Sequence, residues 1–212
     1  MLNRPELKSA ARAQIKGNIW ILFLCMLLIS LITIVATALL SAALLIGNTI
    51  FHIAATPFFS AGAILAPAFA ISIVMIYLAL IKGDIPKVRD IFKGFNLFGK
   101  ALWLFIIMQF FIFLWSLLFI IPGIIKGIAY SMAPYILAEN PEMTARDALN
   151  KSKEITQGHK GDLFVLALSF IGWILLTIVT FGLASIYVVP YIQATYANTY
   201  KKLSGDNLIV HA

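Results

Sequence analysis

Apolar and polar positions along this chain are segregated into long blocks rather than interleaved. Between Lys16 and Lys82 lie 65 residues without one Asp, Glu, Lys or Arg. All nine acids and 15 of the 16 bases fall in four short stretches: Met1–Gly17, Lys82–Lys100, Glu139–Asp162 and Lys201–Ala212. Lys126 is the exception. An ion at the centre of a bilayer costs about 3 kcal/mol or more, so charge-free runs of this length predict membrane-embedded helices. The apolar blocks divide into six predicted spans, at about 19–46, 61–81, 101–121, 124–138, 163–180 and 183–200.

The divisions follow local signals. Gly47–Ser60, with Asn48, His52 and Pro57, reads as an outer loop of short interfacial character. Pro67 is expected inside the second span, where a helical bundle tolerates it. The third span should stop at Pro122-Gly123, a strong helix break. Block 124–138 is short and holds Lys126 and Pro134. It either crosses as a short tilted span with Lys126 snorkelling outward, or is re-entrant or interfacial. Phe181-Gly182 predicts a tight turn between the last two spans. Ser30, Thr33, Thr37 and Ser41 recur at helical spacing along the first span, and Tyr187, Tyr191, Thr195 and Asn198 along the last. Such stripes face other helices or line a polar path.

The polar stretches carry patterns of their own. Arg4, Lys8, Arg12 and Lys16 recur every four residues, a slowly drifting helical stripe beside Leu7, Ala11 and Ile15. This predicts either a basic helix lying on the inner membrane surface or a topology signal without specific contacts. In Lys82–Lys100, Phe92, Phe95 and Phe98 stand between five bases, as in an amphipathic interfacial helix. Glu139–Asp162 holds a surface helix opened by the capping-box-like Thr144-Ala-Arg-Asp147 and closed near Gly158.

Composition narrows the class. The chain is 61% hydrophobic and 12% charged, with mean hydropathy +0.96, where a soluble domain carries about 25% charge. The 212 residues form a single polytopic membrane domain without a sizeable soluble one. The run Ile19–Ile46, at 28 residues, is too long for the apolar region of a cleavable signal peptide and reads as an anchor. Because the net charge of +7 is borne beside apolar blocks, its counterpart is anionic lipid rather than nucleic acid. Cys25 stands alone, so no internal disulfide forms. If all six blocks cross, the four charged stretches share one side, and the excess of Lys and Arg makes that side cytoplasmic, with both termini inside.

Candidate chemistry is sparse. Gly158-His-Lys-Gly-Asp162 precedes a membrane helix, and a helix start with a lysine suits an anion. His159 and Lys160, with Arg4, Lys8, Arg12 and Lys16, are therefore the candidate lipid-headgroup or anion contacts. The alternative for this block is a turn with Lys160 as an interfacial anchor. Pro122, Gly123 and Lys126 mark a candidate helix break of the kind that builds transporter sites, or a structural kink. No catalytic residue, metal site or cofactor is expected: HExxH, GxSxG and Walker patterns are missing from the sequence, and no acid lies mid-span.

The run Leu117-Leu-Phe-Ile-Ile-Pro-Gly-Ile-Ile-Lys-Gly-Ile-Ala-Tyr-Ser-Met-Ala-Pro-Tyr135 resembles a bacterial family of integral membrane proteins, domain of unknown function nine-seven-five. The resemblance continues through Ala138-Glu-Asn-Pro141, Ala148-Leu149, Ser152-Lys153, Gly158-His-Lys-Gly161, Leu168-Ser-Phe-Ile-Gly-Trp173, Thr180-Phe-Gly182 and Pro190-Tyr191. Asp90-Ile-Phe-Lys-Gly-Phe95 and Lys16-Gly-Asn18 fit as well, so it covers nearly the whole chain. At Glu139 the family more often has Asp. The resemblance implies a multi-spanning protein, mostly of Gram-positive bacteria, distantly similar to the membrane domain of some glycerophosphodiester phosphodiesterases. It brings no activity, cofactor or catalytic residue with it.

The expected fold is an all-α, six-helix transmembrane bundle with amphipathic interfacial helices, in the bacterial plasma membrane. The expected function is non-catalytic, binding lipid or partner membrane proteins in envelope homeostasis or export. A small-molecule or lipid transporter is the alternative, and a membrane-embedded hydrolase the third.

Overall fold

The computed structural model describes residues 2–44 and 61–205. The predicted outer loop 47–60, with its His52, and the C-terminal residues 206–212 lie outside them, as does the side chain of Ser41. Every regular element among the described residues is helical. In chain order they are α1 (Arg4–Ile15), α2 (Ile19–Leu44), α3 (Ala61–Ile81), a 3-10 run (Val88–Leu97), α4 (Phe98–Leu118), α5 (Ile120–Tyr130), α6 (Ala133–Glu139), α7 (Ala145–Thr156), α8 (Lys160–Leu168), α9 (Ile171–Val179) and α10 (Ser185–Leu203).

Among the described residues, five segments are long and apolar enough to cross a membrane: Ile19–Leu39, Gly62–Ile81, Val88–Leu118, Ile120–Glu139 and Lys160–Val179. The sixth predicted span corresponds to α10, which is long enough at about 28 Å but much less apolar than the others. Its residues Tyr191, Thr195, Asn198 and Thr199 are buried. They turn inward because α10 is the helix that α1 lies against.

Ion pairs and hydrogen bonds draw all four charged stretches to one end of the bundle. Lys82 at the end of α3 and Lys201 in α10 both reach Glu139 at the end of α6. Lys202 lies 3.8 Å from Glu6 of α1. The Asp162 carboxylate accepts from the Leu2 backbone N–H at 3.1 Å. The described ends of the apolar blocks that flank these stretches therefore lie together. The hairpin α4–α5 turns at Phe119, and α9–α10 turns through Phe181, in the left-handed region at φ 49°, and Gly182.

The third block breaks earlier than expected. Extended backbone at Phe119 ends α4, and Pro122 sits in the first turn of α5, where its missing N–H leaves no helical bond unmade. Gly123 packs on Ser116 of α4, and a Cβ there would stand 2.1 Å from the Ser116 Oγ. Lys126 lies over the Trp115 ring at 4.8 Å, holding its charge against an aromatic face.

Burial is uneven along the helices. At the charged end, Ile71, Ser72, Ile76, Tyr77, Leu80 and Ile81 of α3 are enclosed. The 3-10 run seals one side of α3: Gly94 donates its N–H to the Ser72 Oγ at 2.9 Å, and a Cβ on Gly94 would meet the Ala68 carbonyl oxygen at 2.1 Å. Phe95 stands edge-on to Phe69 at 5.0 Å. Phe92, in contrast, is exposed, so the predicted aromatic stripe is split between core and surface. At the far end, Leu117, Phe119, Ile120, Ile121, Val179, Phe181 and Leu183 are all exposed. A contiguous apolar surface of this extent suits lipid rather than water.

Candidate functional site

The predicted basic stripe forms a seam on the bundle. In α1, Leu7, Ala10, Ala11, Gln14 and Ile15 are buried, while Arg4, Arg12 and Lys16 are exposed and Lys8 is half-buried. The buried face is fixed to α10 by a reciprocal amide pair. Gln14 donates to the Asn198 Oδ1 at 3.1 Å, and Asn198 donates to the Gln14 Oε1 at 2.7 Å. Burying two amides is tolerated because each satisfies the other.

The adjoining face carries the bases over aromatic rings. The Lys8 Nζ lies 4.7 Å from the centre of the Phe170 ring and donates to the Ser169 carbonyl at 3.5 Å. That carbonyl belongs to the break between α8 and α9. The Arg12 guanidinium lies 5.4 Å from the centre of Tyr191 in α10. Phe170, Trp173 and Tyr187 pack around Tyr191 with ring centres 5.7–5.8 Å from its own. Burial, with Arg12 and Arg4 close by, holds the Lys8 ammonium below the ordinary lysine range.

The His159 block is arranged differently. His159 Nδ1 lies 3.4 Å from the Asp162 Oδ2, the same oxygen that receives the Leu2 N–H. The chain's own carboxylate thus occupies the first turn of α8. Lys160 is half-buried at the first residue of that helix. His159 is tied through Asp162 to the chain just before α1, along which Arg4, Lys8, Arg12 and Lys16 follow.

A second polar knot lies at the same end. Glu139 is paired with Lys201 and Lys82 and accepts from the Tyr200 hydroxyl at 2.9 Å, and Tyr200 stacks on Tyr135 at 5.5 Å. Helix α7 docks beside it as the capping pattern predicts: Thr144 caps the Asp147 N–H, and Ser152 donates to the Ala129 carbonyl at 2.7 Å. Among the described residues no cluster of His, Cys, Asp and Glu could hold a metal ion. Pro122, Gly123 and Lys126 belong to the α4–α5 hairpin and do not join the basic seam.

Sequence reasoning had the bases but not their aromatic floor. Ser169, Phe170 and Trp173 sit in a run that reads simply as apolar span. The available signal was the Tyr187, Tyr191, Thr195 and Asn198 stripe, whose partner on α1 has no local signature. The polar stripe of the first span, by contrast, turns mostly on itself. Ser30, Thr33 and Thr37 donate to carbonyls of their own helix, and Thr37 also accepts from the Gly62 N–H at 3.1 Å, tying α2 to α3.

No curated protein and no solved structure matches this chain. The family model described as Protein of unknown function (DUF975) matches it over residues 1–128 and 117–207. With nearly the full length covered by those two matches, the chain belongs to the DUF975 family of membrane proteins.

Proposed function

We propose that this chain is a non-catalytic membrane protein of the bacterial plasma membrane, crossing it six times with both termini inside. Through its charged end it binds anionic lipid or a partner membrane protein, in envelope homeostasis or export. The observation that carries this reading is the polarity of the bundle: a basic seam and ion-paired charged stretches at one end, and an apolar band exposed on the α4–α5 and α9–α10 hairpins beyond it. Lysines and arginines at a membrane face are worth about 1 kcal/mol each against an anionic leaflet. The contacts joining all four charged stretches support placing those stretches on one side.

The test is extraction of the chain with its surrounding lipid in polymer nanodiscs. Anionic phospholipid enriched over the bulk membrane, or a stoichiometric partner, is expected; neither being found overturns the reading. The crossing count is tested separately with Asn150→Cys in a Cys25→Ser background. Labelling of intact cells by an impermeant maleimide would refute the inside placement of Glu139–Asp162.

A transporter is the second reading. The observation favouring it is that two candidate spans are broken, Ile120–Glu139 at Ser131-Met132 and Lys160–Val179 at Ser169-Phe170. Broken helices with freed backbone groups build substrate sites in transporters. Cysteines placed at both breaks discriminate: a water-filled path reacts at both, a dry bundle at neither.

A further inference from the structure

We propose that Lys8 and Arg12 form a seat for one phosphate group of an anionic lipid, between α1 and the α8–α9 break, with the acyl chains running along α9. The proposal rests on the membrane reading above and narrows it to two of the basic residues.

The argument is an accounting of donors and acceptors. Arg12 and Lys8 offer only donors. The Tyr191 hydroxyl lies enclosed beneath Arg12, out of reach of a ligand on the surface, and donates to no acceptor among the described residues. Its neighbour Arg12 has no lone pair to give it. The acceptor at hand, the Ser169 carbonyl, takes Lys8 at 3.5 Å, the outer limit of a hydrogen bond. The surrounding charges add no anion. Arg4 is a third base on the same helix, Glu6 is turned to Lys202, and Asp162 is engaged with His159 and the Leu2 N–H. Neither cation has a carboxylate partner among the described residues, and the exposed Arg12 guanidinium and the weakly engaged Lys8 ammonium are left for a phosphate oxygen.

The rings fix where that anion sits. Phe170 and Tyr191 hold the two cations by their faces, so the charges are oriented before any ligand arrives. Trp173 packs against Tyr191, and from there the exposed Ile171, Ile174 and Leu175 of α9 lead toward the apolar end. A free phosphate would have no use for that surface, and a lipid would.

The test is a titration of the purified full chain in detergent, read by native mass spectrometry. The probes are dioleoyl phosphatidylglycerol, dioleoyl phosphatidylcholine and inorganic phosphate. Wild type is expected to hold phosphatidylglycerol about tenfold more tightly than phosphatidylcholine. Lys8→Gln/Arg12→Gln should weaken phosphatidylglycerol by about tenfold or more, the loss of charge-assisted bonds. Arg4→Gln/Lys16→Gln, which removes equal charge from the same helix, should cost less than about threefold. The charge-preserving Lys8→Arg/Arg12→Lys should keep most of the affinity. Equal losses from the two Gln pairs would overturn the seat and leave the broader reading standing. Affinity lost as fully in the charge-preserving pair would also overturn it. No preference for phosphatidylglycerol in wild type would overturn the seat together with the lipid-binding half of the broader reading, leaving only a partner protein. Displacement of the lipid by millimolar inorganic phosphate would assign the seat to a soluble anion instead.

Discussion

The two ends of this bundle are built from the same helices under different rules. Near the charged end, α3 is enclosed by α1, the 3-10 run, α6 and α10, and its Ser72 hydroxyl is paired with the Gly94 N–H. Near the apolar end, α4, α5 and α9 leave most of their large side chains exposed. In water such a surface would drive association. In lipid it costs nothing, because the tails are as apolar as the side chains and give no hydrophobic gain on helix contact. Order must then come from close fit and hydrogen bonding, and these concentrate where the chain provides glycine, amides and ion pairs. Changes at the charged end should therefore dominate stability, while changes at the apolar tips should pass almost unnoticed.

The largest effect is expected at Gly94. A Cβ there would lie 2.1 Å from the Ala68 carbonyl oxygen and 2.7 Å from the Ser72 nitrogen, both backbone atoms of α3 that cannot swing aside. Gly94→Leu should lift the 3-10 run off α3, sever the bond from its N–H to Ser72, and cost about 3 kcal/mol or more. Thermal unfolding in detergent measures this. A midpoint within a degree of wild type would show that the run is not packed as described.

Next comes the knot at Glu139. The carboxylate is half-buried among Lys82, Lys201 and the Tyr200 hydroxyl. Glu139→Gln keeps the shape, removes the charge and leaves two ammonium groups facing each other across a neutral amide. A loss of about 2 kcal/mol is expected, read as earlier unfolding and as new protease cleavage around Asn140–Met143. An unchanged cleavage pattern would reduce the knot to a surface ion pair.

The amide pair ranks third. Gln14→Leu strands the Asn198 side chain in the core and should cost about 1–3 kcal/mol. Gln14→Leu/Asn198→Leu removes both amides and should recover much of that loss. If the double variant were as unstable as the sum of the single ones, the pair would not be coupled.

How far the sequence disclosed this comparison depended on the range of the interaction. The segregation of charge, the turn at Phe181-Gly182 and the Thr144 cap are local, and each was legible from a few residues. The role of α10 was not. Its Tyr191, Thr195 and Asn198 stripe is legible as a face, but the helix it meets is some 184 positions away at Gln14. The bases of α1 were legible as a stripe, whereas Phe170 and Tyr191 beneath them are ordinary span residues until the chain is folded. The Gly94–Ser72 contact had no signal that pointed to Ser72: Gly94 stands in a run that fits the family, but a glycine chosen for close approach looks like any glycine in a turn.

The smallest effect is predicted at the opposite pole, where Phe181 is 99% exposed at the tip of the α9–α10 hairpin. Elsewhere a phenylalanine lost to alanine costs about 3–5 kcal/mol when it leaves a cavity in a core. Here there is no cavity to leave, because the ring touches lipid or solvent rather than protein. Phe181 also holds a left-handed backbone angle, φ 49°, which alanine adopts no more readily, so the substitution brings neither relief nor new strain. Phe181→Ala should therefore shift stability by no more than about 0.5 kcal/mol. Phe181→Gly, which relaxes that angle, should stabilise slightly if anything. The two variants unfolding at the wild-type temperature in detergent would confirm that the tip stands apart from the packed bundle. A loss of several kcal/mol in Phe181→Ala would mean that the tip is covered, by another copy or another part of the chain, and the contrast between the two ends would fall with it.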